Sequence, residues 1–118
     1  MDERSLENYK FWESYPMYVD LMQAFVDRKI TGKKFSDKFF QMWKFNLTKT
    51  YSAEKLVWIT KNIQLTEIDG FSSLISNLFL DCEVFEDDPL LRDKYAISEE
   101  ELRDCVKKTL LKIKQRYS

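Results

Sequence analysis

The stretch Phe71-Ser-Ser-Leu-Ile-Ser-Asn-Leu-Phe-Leu-Asp-Cys-Glu-Val-Phe-Glu-Asp-Asp-Pro-Leu-Leu-Arg-Asp-Lys-Tyr-Ala-Ile-Ser98 decides how the rest of the chain is read. Its first half places Phe71, Leu74, Ile75, Leu78, Cys82 and Phe85 on one stripe at three-and-four spacing, the pattern of an amphipathic helix. The spacing predicts a helix over about residues 71–86, ended by Pro89, which cannot continue one. Towards its end the helix spills into acid, with Asp81, Glu83, Glu86, Asp87 and Asp88 inside eight residues. A core-forming face and the densest negative charge of the chain therefore share one element.

Downstream, Ser98 and Glu101 stand at capping-box spacing, and Ile97 and Leu102 at hydrophobic-staple spacing. They predict the start of a last helix whose stripe is Leu102, Cys105, Val106, Thr109, Leu110 and Ile113. Glu99, Glu100 and Glu101 suit its positive end, and Lys107, Lys108, Lys112, Lys114 and Arg116 its negative end. Upstream, Pro16 suits a first helical turn, and Tyr18, Leu21, Met22 and Phe25 give that helix its stripe, up to Asp27-Arg28-Lys29. Thr31 then reads as an N-cap, with Ile30 and Phe35 at staple spacing. Phe35, Phe39, Met42, Trp43 and Leu47 make a heavy aromatic face, opposed by Lys34, Asp37, Lys38, Gln41 and Lys44.

Two segments are less regular. The first fifteen residues, with Leu6, Tyr9, Phe11 and Trp12, read as a short helix or an arm laid on the rest. Residues 48–70 read as a short helix capped by Ser52 plus a loop to Asp69-Gly70, although Leu56–Thr60 and Asn62–Thr66 are equally compatible with extended chain. Residues 1–118 form one domain on this reading: an all-α, antiparallel four-helix bundle with an extra N-terminal segment and an insertion at 48–70. The composition agrees. At 118 residues, 44% hydrophobic and 15% aromatic, the chain can bury a sizeable core, and two Gly and two Pro cannot supply the turns of a β-sandwich. No run is apolar enough to span a membrane, and Met1-Asp-Glu-Arg-Ser does not open like a signal peptide, so a soluble, cytoplasmic protein is expected. Cys82 and Cys105, without metal-type spacing, are expected to be buried free thiols.

The chain contains no histidine, which removes the common nucleophile–base pairs and the usual zinc sites and argues against an enzyme. No cofactor is expected. The acids of 86–93 lack the spacing and glycine of a calcium loop, and nothing marks a buried acid for acid–base chemistry. A net charge of −1 conceals an uneven distribution: residues 81–104 hold ten acids against Arg92, Lys94 and Arg103, so the remainder is basic. A solvated helix end explains such a cluster; so does a docking surface for a basic partner. The basic tail at 107–116 spreads over several helix faces and does not read as a nucleic-acid site.

Leu78-Phe79, Glu83, Phe85, Glu86, Asp88, Arg92, Tyr95, Ile97 and the helix start after Ser98 resemble the colicin D immunity protein and the wider bacterial self-protective, colicin-like immunity domains. Leu21–Phe25, Lys29–Thr31 and Phe35-Ser36 are similar to the family's first helix and the turn into its second, so that the resemblance spans about residues 17–113. The longer form is also similar to immunity proteins of contact-dependent inhibition systems. What the resemblance implies is a bacterial cytoplasmic protein that binds a tRNA-cleaving toxin domain one to one and covers its basic tRNA-binding surface with acidic side chains. By position, Glu83, Glu86, Asp88 and Tyr95 are the implied toxin contacts; Asp87 and Asp93 join them on charge, and Glu99 and Glu100 as the neighbouring acidic helix start. Arg92 is expected to tie the connector to a nearby acid, and Phe85 to lie in the core. A monomer is expected when free. The competing reading is a helical adaptor that docks a basic protein with no nuclease involved.

Overall fold

The computed structural model describes residues 1–117 and contains six helices: α1 (Glu3–Trp12), α2 (Tyr15–Val26), α3 (Gly32–Leu47), α4 (Ala53–Asn62), α5 (Phe71–Glu83) and α6 (Glu99–Tyr117). The starts follow the local chemistry. The side chains of Asp2, Thr31 and Ser52 accept from the backbone N–H of Ser5, Lys34 and Lys55, and Pro16 lies in the first turn of α2. At α6 the capping box is complete: the Ser98 hydroxyl accepts from the Glu101 N–H at 3.2 Å, and the Glu101 carboxylate accepts from the Ser98 N–H at 3.2 Å.

End-to-end contacts define the arrangement of α2, α3, α5 and α6. At one end Tyr15, at the start of α2, meets Phe71 at the start of α5, and Phe71 meets Tyr117 at the end of α6. Asn46, at the end of α3, lies there too, bonded to Tyr18 and Ser14. At the other end Arg28 after α2, Gly32 at the start of α3, Phe85 after α5 and Glu99–Glu100 at the start of α6 come together. Successive members of this set therefore run in alternating directions, an up-and-down four-helix bundle. Its core is Tyr18, Met22, Phe25, Phe35, Phe39, Phe71, Ile75, Leu78, Leu102, Val106 and Ile113, with the rings of Phe25 and Phe35 stacked at 4.7 Å. Phe40 and Trp43 pack on Phe79, the Trp43 ring at 4.0 Å.

The two less regular segments both hold the short helix that was one of their readings, and two further features depart from the sequence pattern. α1 is a regular helix whose Phe11 is fully buried in the main core and whose Asn8 accepts from both the N–H and the hydroxyl of Ser72, so it is part of the packing rather than an arm across it. α4 is helical, but it joins the rest mainly through Ile59 in a small second cluster with Tyr9 and Ile68. Leu47, placed in the aromatic core face by its spacing, is 40% exposed. The inward position one residue earlier is taken by Asn46, fully buried, which accepts from the Tyr18 hydroxyl at 2.6 Å and donates to Ser14 Oγ at 2.9 Å. Lastly, α5 stops at Glu83 and not at residue 86. The chain after it is pulled into a parallel bridge between Phe85 and Ile97, with Glu86 N–H donating to Ile97 O and Ile97 N–H to Val84 O. A long-range pairing, and not Pro89, ends the helix. No described helix is long and apolar enough to cross a membrane.

Candidate functional site

The bridge closes the base of the 84–98 connector, which stands at the same end of the bundle as the starts of α3 and α6. Inside it the backbone is held by its own side chains. Glu86 Oε1 accepts from the Asp88 N–H, Asp88 Oδ1 from the Leu90 N–H, and Asp93 Oδ1 from the N–H groups of Tyr95 and Ala96. Arg92 donates to the carbonyl oxygens of Glu86 at 2.7 Å and Asp87 at 3.1 Å. It thus clamps backbone, correcting the expectation that it ties the connector to an acid, and no carboxylate is spent on it.

The eight residues singled out from the sequence fall into two groups. Glu83, Glu86, Asp87, Asp88 and Asp93 form no ion pair among the described residues, and all but the half-buried Glu86 are exposed. Even those that hold a backbone N–H keep acceptor capacity facing outward, because a carboxylate has about four lone-pair sites. Tyr95 stands beside them, 70% exposed, with the Lys94 ammonium 4.9 Å from its ring centre. Glu99 and Glu100, by contrast, are engaged within the fold. Glu99 accepts from the Gly32 N–H, capping the open first turn of α3, and pairs with Arg103 at 3.4 Å. Glu100 takes both arms of the Arg28 guanidinium, at 2.7 and 2.9 Å, and also meets Arg103. Those Arg28 hydrogen bonds, with the Arg103 charge, hold its carboxyl below the usual glutamate range.

Arg103 stands four residues after Glu99 and three after Glu100 on α6, a helical ion-pair spacing that hydrophobic periodicity does not register. Only 7% exposed, it donates to the Phe25 carbonyl at 3.0 Å, stands 4.6 Å over the Phe25 ring and binds both glutamates. Arg28 turns the chain after α2 at φ 62°, a left-handed conformation rarely adopted by side-chain-bearing residues, and its guanidinium reaches Glu100 from there. Gly32 is needed for close approach, since a Cβ there would lie 2.8 Å from Phe85 Cζ and 3.0 Å from the Glu99 side chain. Phe85 packs against the core as expected.

Two other apolar residues belong to this surface and were also missed. Leu90 is 92% and Leu91 69% exposed. Leu91 and Tyr95 line one shallow depression with the unpaired acids Glu83, Glu86 and Asp93, which sets apolar surface beside free carboxylates. Periodicity finds residues that face inward, so a leucine pair on an irregular loop leaves no trace in it. Of the cysteines, Cys82 is buried, its thiol pushed up to about 12 by desolvation, whereas Cys105 is only half-buried. Among the described residues no group of His, Cys, Asp or Glu is positioned to hold a metal ion.

Residues 14–113 match the family model described as bacterial self-protective colicin-like immunity. No curated protein and no solved structure matches the chain.

Proposed function

The chain belongs to the bacterial self-protective colicin-like immunity family, and from that premise we propose that it is a non-enzymatic cytoplasmic inhibitor that binds a basic, tRNA-cleaving toxin domain one to one through the 84–98 connector. The observation that carries this reading is the group of five carboxylates without an ion pair, Glu83 at the end of α5 and Glu86, Asp87, Asp88 and Asp93 on a backbone-clamped connector that also exposes Leu90, Leu91 and Tyr95. A nuclease that holds a phosphate backbone presents Lys and Arg, and carboxylates on a fixed frame compete for those cations. Preorganisation matters here, because a mobile acidic loop loses ordering entropy on binding and a clamped one loses less. The asymmetric charge speeds encounter with a cationic cleft, and the central leucines supply the desolvated contact that slows departure. Glu99 and Glu100 serve this surface from behind, by fixing the starts of α3 and α6.

The test is co-expression with the product of the adjacent toxin gene, scored by growth and by affinity of the purified pair. The double reversal Glu86→Lys/Asp88→Lys is expected to fold, to weaken binding by roughly 100-fold or more, and to abolish protection. Leu90→Ala and Leu91→Ala are each expected to cost roughly tenfold in affinity with stability unchanged. A folded reversal variant that still binds and protects refutes the connector as the contact surface. A basic partner that binds equally well but harms no cell would favour the adaptor reading.

A further inference from the structure

α4 carries apolar side chains on two opposite faces. On the inner face Ile59 is fully buried against Tyr9 and Ile68, with Ile63 packed beside it. Turned away from that cluster are Glu54, Val57, Trp58 and Lys61, all exposed and at positions i, i+3, i+4 and i+7 of one helical stripe. Val57 is 53% and Trp58 46% exposed, and the Lys55 ammonium stands 4.1 Å from the Trp58 ring centre. Beside Val57 lies a groove of about 330 Å³ whose apolar wall is Met1, Leu6 and Leu56. A helix that lies on one partner needs a single apolar stripe, and nothing among the described residues covers this second one. Glu54 and Lys61 have neither a hydrogen bond nor an ion pair among the described residues. Seven residues apart on one helix, they are separated by about 10 Å along its axis and do not reach each other.

We propose that this stripe is the interface of a symmetric dimer in which the α4 helices of two copies lie antiparallel. The order of the stripe selects that partner: an acid, two apolar side chains, a base. A twofold axis through its middle, between Val57 and Trp58, reverses the order in the second copy, so Glu54 of each copy meets the partner's Lys61 at both ends of the contact. The same axis keeps each edge of the stripe on its own side, so Trp58 packs on Trp58 and Val57 on Val57, where the two grooves adjoin. A parallel pair would set acid on acid and base on base. An anionic membrane would be met by Lys55 and Lys61 but repelled by Glu54, and a basic protein surface would be met by Glu54 alone; a second copy satisfies both ends. Through Ile68, just ahead of Phe71, α4 is tied to the end of the bundle where Phe71 meets Tyr117, opposite the connector. Both connectors of the dimer therefore stay free. The dimer does not rest on the immunity reading, and it takes the place of the free monomer expected from the sequence.

The experiment is sedimentation velocity of the purified full chain over concentrations of about 5 to about 500 µM. Two ten-residue helices make a small contact, so a dissociation constant on the order of 10–100 µM is expected, with the chain passing from monomer to dimer across that range. Glu54→Lys and Lys61→Glu each place like charges at both ends of the contact and should weaken self-association by about tenfold. Mixed in equal amounts, the two variants should form a heterodimer of roughly the parent affinity, because one chain then carries Lys at both positions and the other Glu. That association also shows both variants to be folded. Trp58→Ala should weaken the dimer by more than about tenfold with helix content unchanged by circular dichroism. A chain still monomeric at about 500 µM overturns the proposal. So does a dimer that survives all three substitutions, or a mixture that associates no more tightly than its components. Binding of the monomer to phosphatidylserine vesicles without self-association, or loss of growth protection in the Glu54→Lys variant, assigns the stripe to another occupant and likewise overturns the dimer.

Discussion

Replacing Gly32 by alanine joins the packing of the bundle to the geometry of the connector in one methyl group. The added carbon would sit 2.8 Å from Phe85 Cζ and 3.0 Å from Glu99 Cγ and Oε1. Glu99 can swing away, but only by giving up the Gly32 N–H and its pairing with Arg103. Phe85 has less freedom, because its ring packs on the core and its backbone forms the bridge to Ile97. Overpacking of this kind costs about 1–3 kcal/mol, and a charge-assisted hydrogen bond to a backbone N–H contributes about 1.5–3. Alanine returns at most about 1 kcal/mol of helix propensity. The expected net loss is about 2 kcal/mol, read as a fall of roughly 1 M in the urea midpoint with the slope unchanged. Affinity for the toxin should fall as well, although Gly32 is buried, because Phe85 carries the base of the connector. Gly70→Ala at the opposite end is the control. Its φ of 81° costs about 1 kcal/mol, its new neighbour is the movable Arg116 guanidinium, and toxin affinity should not change. A Gly32→Ala protein as stable as the parent would refute the close-packing account.

Asn46→Leu strands the Tyr18 hydroxyl in the core and should cost about 2 kcal/mol; adding Tyr18→Phe should restore part of it, giving a coupling energy measurable by denaturation. Arg92→Ala should leave the unfolding midpoint nearly unchanged while hydrogen exchange accelerates at Leu91, Tyr95 and Ala96 and toxin affinity falls, since only the connector loses its clamp. Glu100 has a depressed folded-state pKa, so its contribution is present above its unfolded value near 4.5 and is lost as pH falls through the folded value. Stability measured from pH 6 downward should therefore decline more steeply for the parent than for Glu100→Gln; parallel curves would remove Glu100 from the acid response.

The parts of this fold that were legible are those decided within a few residues. Thr31, Ser52 and Ser98–Glu101 mark helix starts because capping involves only neighbours, and the stripes of α2, α5 and α6 survive because each helix buries a single face. What stayed hidden was decided at long range. The end of α5 is set by Ile97, beyond the acidic run. Glu99 and Glu100 look like the other acids in sequence, yet Arg28 and Gly32 engage them from elsewhere in the chain.

The Phe85–Ile97 clasp has a consequence for how such a protein can diversify. Its hydrogen bonds are made by backbone, so the clasp itself constrains shape more than identity, and within its jaws only Glu86, Asp88, Arg92 and Asp93 hold the backbone through their side chains. The positions that hold no backbone group, Asp87, Leu90, Leu91 and Tyr95 among them, can then be exchanged as a cassette while the bundle beneath keeps its stability. Grafting a foreign connector between residues 85 and 97, with an arginine retained as the clamp, would be the corresponding route to engineered specificity.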